Sequence, residues 1–164
     1  DGESMNIREA RTEDWPAIWP IFHEVVNAGD TYAYDPHTSK EQGEKIWLQT
    51  PRQTRVVESG GKILATYYLK TNQAGPGSHV CNCGYMVTSS ARGQGLAARM
   101  CEHSLQQARA LGYQAMQFNF VASSNSAAVH LWSKLGFATV GRLPGAFRHP
   151  SLGYVDALVM YQVL

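Results

Sequence analysis

The chain has 164 residues, a length that suits one domain with a substantial buried core. Its formal net charge is only +1, which argues against bulk electrostatic attraction to nucleic acid or to a membrane surface. Its three cysteines are too few for a disulfide framework, and no apolar run approaches the roughly 20 residues that a membrane span needs. We therefore expect a cytoplasmic protein with buried free thiols and with no nucleic-acid or membrane partner.

The first four residues, D-G-E-S, precede Met5 and resemble an expression scar, so we expect the natural numbering to start at Met5. No repeat, low-complexity tract or linker follows. Residues 5–164 are therefore predicted to form a single domain. The six histidines have no metal-ligand spacing, so no metal site is expected.

In the first half of the chain, the patterns predict one strand, two helices and then three strands. Thr12 is a candidate N-cap, because acidic residues and a proline follow it and apolar residues then recur at helical spacing. An S-G-G segment between two strand-like runs predicts a hairpin turn. The predicted elements are a strand over 6–10, a helix between Thr12 and Gly29, a helix over 38–48, and strands over 55–58, 62–70 and 80–87.

The second half of the chain alternates helices with strands and then ends in two strands. An amphipathic pattern is stopped by Gly112, and Asn125 stands at the start of the next helical pattern. The predicted elements are a helix over 95–111, a strand over 115–121, a helix over 125–135, and strands over 138–143 and 154–164.

The most informative segment is 87–97, V-T-S-S-A-R-G-Q-G-L-A, because it joins a predicted strand to a predicted helix. Gly93 and Gly95 allow a positive φ or a close approach of the backbone to a ligand. The first N–H groups of the following helix have no internal partner, and the helix dipole is positive there. With the guanidinium of Arg92 beside them, these groups predict a site for a phosphate or pyrophosphate.

Three known loop types share features of this turn. A kinase-type P-loop needs a Lys after its glycines, and none is present. A dinucleotide fingerprint fits 93–98 as G-x-G-x-x-A, but the acidic ribose partner about 20 residues further on is missing, since 103–155 contain no Asp or Glu. The third pattern is R-x-x-G-x-A, formed by Arg92, Gly95 and Ala97. It resembles the pyrophosphate loop of the GNAT acyltransferase superfamily.

A second motif adds to this resemblance. Residues 125–137 read N-S-A-A-V-H-L-W-S-K-L-G-F, which is similar to the superfamily's second signature, an Asn followed by a helix that ends in L-G-F. The resemblance covers 6–164 and implies an α/β (α+β) GNAT fold. We expect a central mixed, mostly antiparallel twisted sheet of about seven strands, with helices on both faces and a parallel fourth and fifth strand that splay apart.

The resemblance implies that acetyl-CoA binds in the cleft between the splayed strands. The end of the fourth strand is expected to run beside the pantetheine arm, the glycine turn to hold the pyrophosphate, and Asn125 to bond the arm near the sulfur. Trp132 is expected to pack on the cofactor. A plain N-cap is the alternative role for Asn125, and a core aromatic is the alternative for Trp132. The expected cofactor-binding residues are Met86, Val87, Thr88, Arg92, Gly93, Gln94, Gly95, Leu96, Ala97, Asn125 and Trp132.

The chain departs from the family pattern in its proton chemistry. Many relatives place a Tyr at the position of Trp132 as an acid for the thiolate, and some place a Glu on the fourth strand as a base, but 80–87 contain no carboxylate. A water held by Asn82 and backbone carbonyls would serve as the base, or an amine that arrives neutral would need none. Tyr85 is the remaining polar group, with core packing as its alternative role. Catalysis would rest on positioning and on the backbone N–H of Val87 as oxyanion donor.

Three asparagines, Asn82, Asn119 and Asn125, are expected to flank the cleft. Buried amides in strands are costly unless they are paired, which makes the first two unusual. The trio resembles the branch of the family that acetylates L-azetidine-2-carboxylate, a proline analogue, and 140–150 are also similar to phosphinothricin acetyltransferases. The resemblance implies that Asn82 and Asn119 bind the substrate carboxylate or the oxyanion, with pairing to backbone as the alternative. Tyr32 and Tyr34 are expected to line the acceptor pocket.

The resemblance therefore implies an acetyl-CoA-dependent N-acetyltransferase that acts on a small-molecule amine, including a toxic amino acid or proline analogue. The first alternative is acetylation of a protein N-terminus or lysine. The second alternative, prompted by the missing Tyr and carboxylate, is a sensor that binds CoA without turnover. A homodimer is expected only because dimers are common in the resembling family.

Overall fold

The computed structural model describes residues 4–164, and a single sheet of seven strands runs through the whole of this region. The elements are β1 (Asn6–Glu9), α1 (Trp15–Ala28), α2 (Lys40–Glu44), β2 (Gln53–Ser59), β3 (Lys62–Thr71), β4 (Val80–Val87), α3 (Leu96–Ala110), β5 (Ala115–Ala122), α4 (Ser126–Lys134), β6 (Ala138–His149) and β7 (Gly153–Val163). Helix α2 continues directly into a π-helical turn, Lys45–Gln49.

The sheet has the strand order β1-β2-β3-β4-β5-β7-β6. Only β4 and β5 are parallel among the paired strands of the described region, and every other neighbouring pair is antiparallel. The parallel pairing is short, since it is limited to Val80 with Ala115 and Cys81 with Met116. The two strands diverge beyond these positions, which opens a cleft in the sheet. The predicted mixed sheet with a splayed parallel pair is confirmed.

The helices cover both faces of the sheet, as predicted. Helix α1 and the π-helical turn pack on one face, where Tyr68 and Met86 are buried. Helices α3 and α4 pack on the other face, where Cys81 and Cys83 are buried. The period-two alternation of β4 thus sends its thiols to one layer and Asn82, Gly84 and Met86 to the other. Cys101 lies in α3, and all three cysteines are buried free thiols, as expected.

The start of the first helix differs from the prediction. Residues Thr12–Asp14 form a 3-10 turn, and α1 begins at Trp15, so Thr12 is not the N-cap of α1. The carboxylate of Asp14 accepts hydrogen bonds from the backbone N–H of Arg11 at 2.7 Å and from the guanidinium of Arg8 at 2.9 Å. Asp14, which reads in the sequence as a residue of the first turn, therefore holds the turn that precedes the helix.

The last hairpin is longer than the sequence predicts, because β6 continues to His149 rather than ending at Leu143. Pro144 and Gly145 read as a strand break in the sequence. In the structure they lie within an irregularity of the β6–β7 ladder, after which pairing resumes at Phe147 with Val155. Within residues 4–164, none of the helices combines the length and the apolar character that a bilayer crossing requires.

Candidate functional site

The divergence of β4 and β5 opens a cavity of about 700 Å³. Ten of the residues predicted from sequence to bind cofactor or substrate line it: Tyr32, Tyr34, Asn82, Met86, Val87, Arg92, Ala97, Asn119, Asn125 and Trp132. The other five do not line it: Thr88, Gly93, Gln94, Gly95 and Leu96. They belong to the turn at the mouth of the cavity, apart from Leu96, whose side chain is buried in the core beneath α3. The structure thus brings the two sequence motifs to the same cleft.

The glycine turn between β4 and α3 needs its glycines for backbone conformation. Gly93 and Gly95 have φ values of 80° and 76°, and a Cβ added at either position would meet open space. Gly95 is the N-cap of α3, so the free N–H groups of the first helical turn lie next to these two residues. The turn therefore lies beside free backbone amides at the positive end of a helix, which suits an anion.

Arg92 extends from this turn toward solvent, with 56% of its side chain exposed, and its guanidinium lies 3.6 Å from the carboxylate of Glu24. Glu24 also accepts hydrogen bonds from the backbone N–H and the hydroxyl of Ser89, each at 3.0 Å. Helix α1 thus anchors the turn through one carboxylate. Arg92 keeps enough exposure to reach an incoming phosphate from this position.

Beyond Cys81, β4 has no ladder partner on its β5 side, and its backbone groups point into the cavity there. The N–H of Thr88 donates to the carbonyl of Leu64 on β3 at 2.8 Å. In an antiparallel pair the direction of the backbone groups alternates, so the N–H and C=O of Tyr85 and Val87 point the other way, into the cleft. The edge is therefore able to bond an extended ligand as a neighbouring strand would.

Tyr32 occupies part of this open edge. Its hydroxyl accepts a hydrogen bond from the N–H of Tyr85 at 2.7 Å and donates one to the carbonyl of the same residue at 3.0 Å. Its ring stacks on Tyr34 at a centroid distance of 5.6 Å. Burial raises the pKa of Tyr32, so the phenol stays protonated and serves as a hydrogen-bond donor. Gly84 makes room for this arrangement, since a Cβ there would lie 3.1 Å from the Tyr32 hydroxyl.

Asn82 is 6% exposed and its amide is paired at both ends. Its oxygen accepts from the hydroxyl of Tyr68 at 2.8 Å, and its nitrogen donates to the carbonyl of Gln117 on β5 at 2.9 Å. The contact to Gln117 lies one residue beyond the last backbone pair between β4 and β5. The Asn82 side chain thus bridges β4 and β5 at the first position where their backbones separate. This agrees with the alternative role considered for it, pairing to backbone. One N–H and one lone pair of the amide remain unused.

Asn119 and Asn125 differ from Asn82 in their surroundings. Asn119 is exposed, so the expectation of a buried amide is wrong for it; its β5 segment leaves the regular β7 ladder between Phe118 and Val121, which frees the side chain. Its amide accepts from Gln117 at 2.8 Å and donates to Asn72 at 2.7 Å. Asn125 caps α4 by accepting from the N–H of Ala128 at 3.3 Å, and it also lines the cavity.

Trp132 is a core aromatic, one of the two roles that the sequence left open, and it also reaches the cavity. It is 9% exposed and packs in the core against Tyr85 and Phe118, each at a centroid distance of 5.1 Å, and it also forms part of the cavity wall. The hydroxyl of Tyr85 lies 2.7 Å from the Ser104 hydroxyl of α3, so this side chain serves the core.

The residues that sequence reasoning missed include Tyr68 and Lys70 on β3, which both line the cavity. The Lys70 ammonium lies 5.4 Å from the centroid of the Tyr68 ring. Their i, i+2 spacing placed them on one face of a predicted strand, but only the register of β3 against β4 shows which face that is. Within residues 4–164, no cluster of three or more His, Cys, Asp or Glu side chains is arranged to hold a metal ion.

Comparison with known proteins identifies the family. Residues 6–137 match the sequence model of the acetyltransferase (GNAT) family, which covers well over half of the chain. The chain therefore belongs to the GNAT acetyltransferase family, as its glycine turn and splayed strands predict.

The similar proteins include one curated relative and several solved structures. The N-acetyltransferase aca1 of Schizosaccharomyces pombe is 34% identical over 98 residues; the match covers 59% of this chain and 47% of that protein, so the chain spans about half the length of that relative. A GCN5-related N-acetyltransferase from Kribbella flavida is 41% identical with a TM-score of 0.93, covering 98% of both chains. The yncA protein of Salmonella typhimurium, solved with its cofactor acetyl-CoA, shares the fold at 20% identity and a TM-score of 0.83, covering 98% of this chain and 94% of that one.

Proposed function

We propose that this protein is an acetyl-CoA-dependent N-acetyltransferase that transfers the acetyl group directly to the amine of a small molecule. The observation that carries the proposal is the cleft of the sheet itself. One wall of this cleft is an unpaired edge of β4, and its mouth is the glycine turn at the N-terminus of α3. In a chain of the GNAT family, this combination suits the extended arm and the pyrophosphate of one cofactor.

The donor half of the site is built mainly from backbone. The amides of 93–97 and the guanidinium of Arg92 would hold the pyrophosphate, while Met86, Val87 and Thr88 would run beside the pantetheine arm. Asn125 and Trp132 line the facing wall, where they would contact the arm near its sulfur. When bound, the cofactor supplies an acetyl group already activated as a thioester.

The catalytic contribution of the chain is positioning and hydrogen bonding. The N–H of Val87 points into the cleft and would donate to the acyl oxygen as negative charge develops there. Trp132 stands where many relatives have a Tyr, and an indole N–H is not a practical acid, so no proton reaches the sulfur from that position. The acceptor amine loses its proton to water held at the cleft wall by backbone carbonyls and Asn82, or arrives neutral.

The acceptor half is built from side chains on the α1 face of the sheet. Tyr32 and Tyr34 form one wall, and Asn82 and Asn119 form the floor near the splay. The unused N–H of Asn82 and the exposed amide of Asn119 suit a carboxylate or the oxyanion. This arrangement and the resemblance to the azetidine-2-carboxylate and phosphinothricin branches support a small amino acid or proline analogue as acceptor. In that case the protein would detoxify the compound by acetylation, and the resemblance also favours a cytoplasmic homodimer.

Two features of the chain favour a second candidate, a sensor that binds CoA without turnover. An indole occupies the position of the usual phenol, and β4 offers no carboxylate in 80–87. A sensor would still bind CoA through the turn and the open strand edge. It would release no CoA from acetyl-CoA in the presence of any amine.

A CoA-release assay tests these readings. The purified protein is incubated with acetyl-CoA and a panel of L-azetidine-2-carboxylate, phosphinothricin, free amino acids, simple amines and peptides with a free N-terminus or lysine. We expect CoA release above the hydrolysis background with small amines and none with the peptides. Turnover on peptides alone would support protein acetylation. Tight CoA binding by calorimetry without release on any acceptor would support the sensor, and no CoA binding at millimolar concentration would overturn both.

A further inference from the structure

We propose that Lys70 is the carboxylate-binding residue of the acceptor pocket, so that the site selects amines carrying a carboxylate beside the nitrogen. This inference rests on the proposed function, because it assigns the acceptor half of the same cleft. It names a specificity-determining side chain that the sequence motifs do not contain. Four features of the structure support it: the register of β3 against β4, the charged side chains of the cavity, the contact of the Lys70 ammonium with Tyr68, and the hydrogen-bond donors available to a carboxylate.

The register of the sheet places Lys70 directly opposite Asn82, its partner across β3 and β4. Residues opposite each other in an antiparallel pair send their side chains to the same face of the sheet. Tyr68, two residues earlier on β3, lies on that face too, and all three side chains line the cavity. The Lys70 side chain is half-buried, so its stem follows the wall of the cavity.

Lys70 brings the positive charge of the acceptor half. Asp30, Lys70 and Arg92 are the Asp, Glu, Lys or Arg side chains that line the cavity in the described part of the chain. Arg92 belongs to the glycine turn, where its guanidinium faces Glu24. No carboxylate of residues 4–164 lies within 4 Å of the Lys70 ammonium. This includes the carboxylate of Asp30, which lines the same cavity and is exposed. An anionic group that enters the acceptor half would therefore meet an ammonium that has no counter-charge in contact.

The Lys70 ammonium is supported by the ring of Tyr68. Its Nζ lies 5.4 Å from the centroid of the Tyr68 ring, within the range of a cation–π interaction. The ring is fixed at its other end, since the Tyr68 hydroxyl donates to Asn82 at 2.8 Å. An edge contact with buried Trp47, at a centroid distance of 4.8 Å, fixes the plane of the ring. A donor positioned in advance binds an anion with less loss of side-chain entropy.

A carboxylate suits this arrangement better than a neutral group. One of its oxygens would accept from the Lys70 ammonium, and the other from the unused N–H of Asn82 on the neighbouring strand. Charge-assisted hydrogen bonds are stronger than neutral ones. With its carboxylate held by Lys70 and Asn82, an α-amino acid has a single carbon atom between that group and its nitrogen, so the nitrogen is held near the open edge of β4.

A binding experiment separates this role from a purely structural cation–π contact. The protein saturated with CoA is titrated by calorimetry with L-azetidine-2-carboxylate and, separately, with azetidine, which lacks the carboxylate. The variants are Lys70→Met, Lys70→Arg and a control, Lys62→Met, which removes an exposed lysine at the other end of β3. Circular dichroism and the CoA affinity confirm that each variant is folded.

For Lys70→Met we expect at least a tenfold loss of affinity for L-azetidine-2-carboxylate and less than a twofold change for azetidine. Lys70→Arg should keep part of the affinity, and Lys62→Met all of it. Equal affinity of Lys70→Met and the parent, equal losses for both ligands, or no binding of the carboxylate ligand by the parent would each overturn the inference. The readout needs no turnover, so it is independent of the CoA-release assay that tests the proposed function.

Discussion

At the scale of single residues, the two strand asparagines of the cleft have different tasks. Asn82 is buried and spans the first gap between β4 and β5, where its amide nitrogen reaches the carbonyl of Gln117. Asn119 is exposed and its side chain bonds only to other side-chain amides, those of Gln117 and Asn72. A substitution at the first position should therefore lower both stability and acceptor binding, and one at the second should affect mainly the acceptor.

Replacing Asn82 by Ala should lower the free energy of unfolding by about 2 kcal/mol, because it leaves a Tyr hydroxyl and a backbone carbonyl without partners at a buried site. Asn119→Ala is the matched variant and should change stability by less than about 0.5 kcal/mol. It should lower turnover on the true acceptor and leave the acetyl-CoA affinity nearly intact. Urea denaturation and CoA-release kinetics measure the two effects. Full activity of Asn119→Ala would remove that residue from the site.

At the scale of elements, the junction of β4 and α3 combines a glycine turn with a free helix terminus. The turn needs two residues with positive φ, Gly93 and Gly95. A Cβ added at either position would meet no atom within 4 Å. Any effect of a substitution there thus comes from the backbone conformation and from what binds against it. Helix α3 offers a natural control at its other end, where Gly112 has a φ of 88° and also faces open space.

Gly95→Ala and Gly112→Ala should each cost about 1 kcal/mol of stability, since both put a Cβ into the left-handed region. Only Gly95→Ala alters the amides that would cradle the pyrophosphate. We expect it to weaken CoA binding at least tenfold in calorimetric titrations, whereas Gly112→Ala should bind CoA like the parent. If both variants bind CoA equally well, the turn is not the pyrophosphate site.

At the scale of the whole molecule, one ionic cluster ties the edge of the sheet to the first helix. Arg8 on β1 bonds to Asp14, just before α1, at 2.9 Å and to Glu58 on β2 at 2.8 Å. The hydrogen bond from Arg8 is the main cause that lowers the pKa of Asp14 below its usual value. The stabilisation is present above the unfolded pKa of about 3.9 and is lost as the pH falls through the lower folded value.

Asp14→Asn should therefore lower the free energy of unfolding by about 1 kcal/mol at pH 7, with a smaller difference as the pH approaches 2. Thermal unfolding of both proteins between pH 2 and pH 7 measures this convergence. Glu13→Gln changes a neighbouring carboxylate that is exposed and forms none of the four salt bridges of the described chain, and it should follow the parent at every pH. If the free energies of unfolding of Asp14→Asn and the parent differed by the same amount at every pH, the effect of Asp14 would come from packing and not from its charge.

The sequence predicted those parts of the molecule that depend on local pattern. Strand-like runs, turn signals and helical spacing located all seven strands and the main helices, and the two motifs located the mouth of the cleft. It failed where a long-range contact decides the outcome. The Tyr32 hydroxyl reaches Tyr85 across 53 positions, and Lys70 faces Asn82 only through strand register. The β6 strand passed through Pro144 and Gly145 because an irregular ladder tolerates them, which local turn propensity does not anticipate.

At the unpaired edge of β4, main-chain atoms and side-chain atoms would recognise different ligands. In the proposed site, the donor side consists largely of main-chain amides, whose chemistry is the same whatever side chain is attached to them. In the same proposal, the acceptor side consists of phenols, amides and an ammonium, which are groups that side-chain substitution changes. Amino-acid replacements can thus redesign the second specificity without disturbing the first, so that a single scaffold can acquire new acceptors while keeping one source of the transferred group.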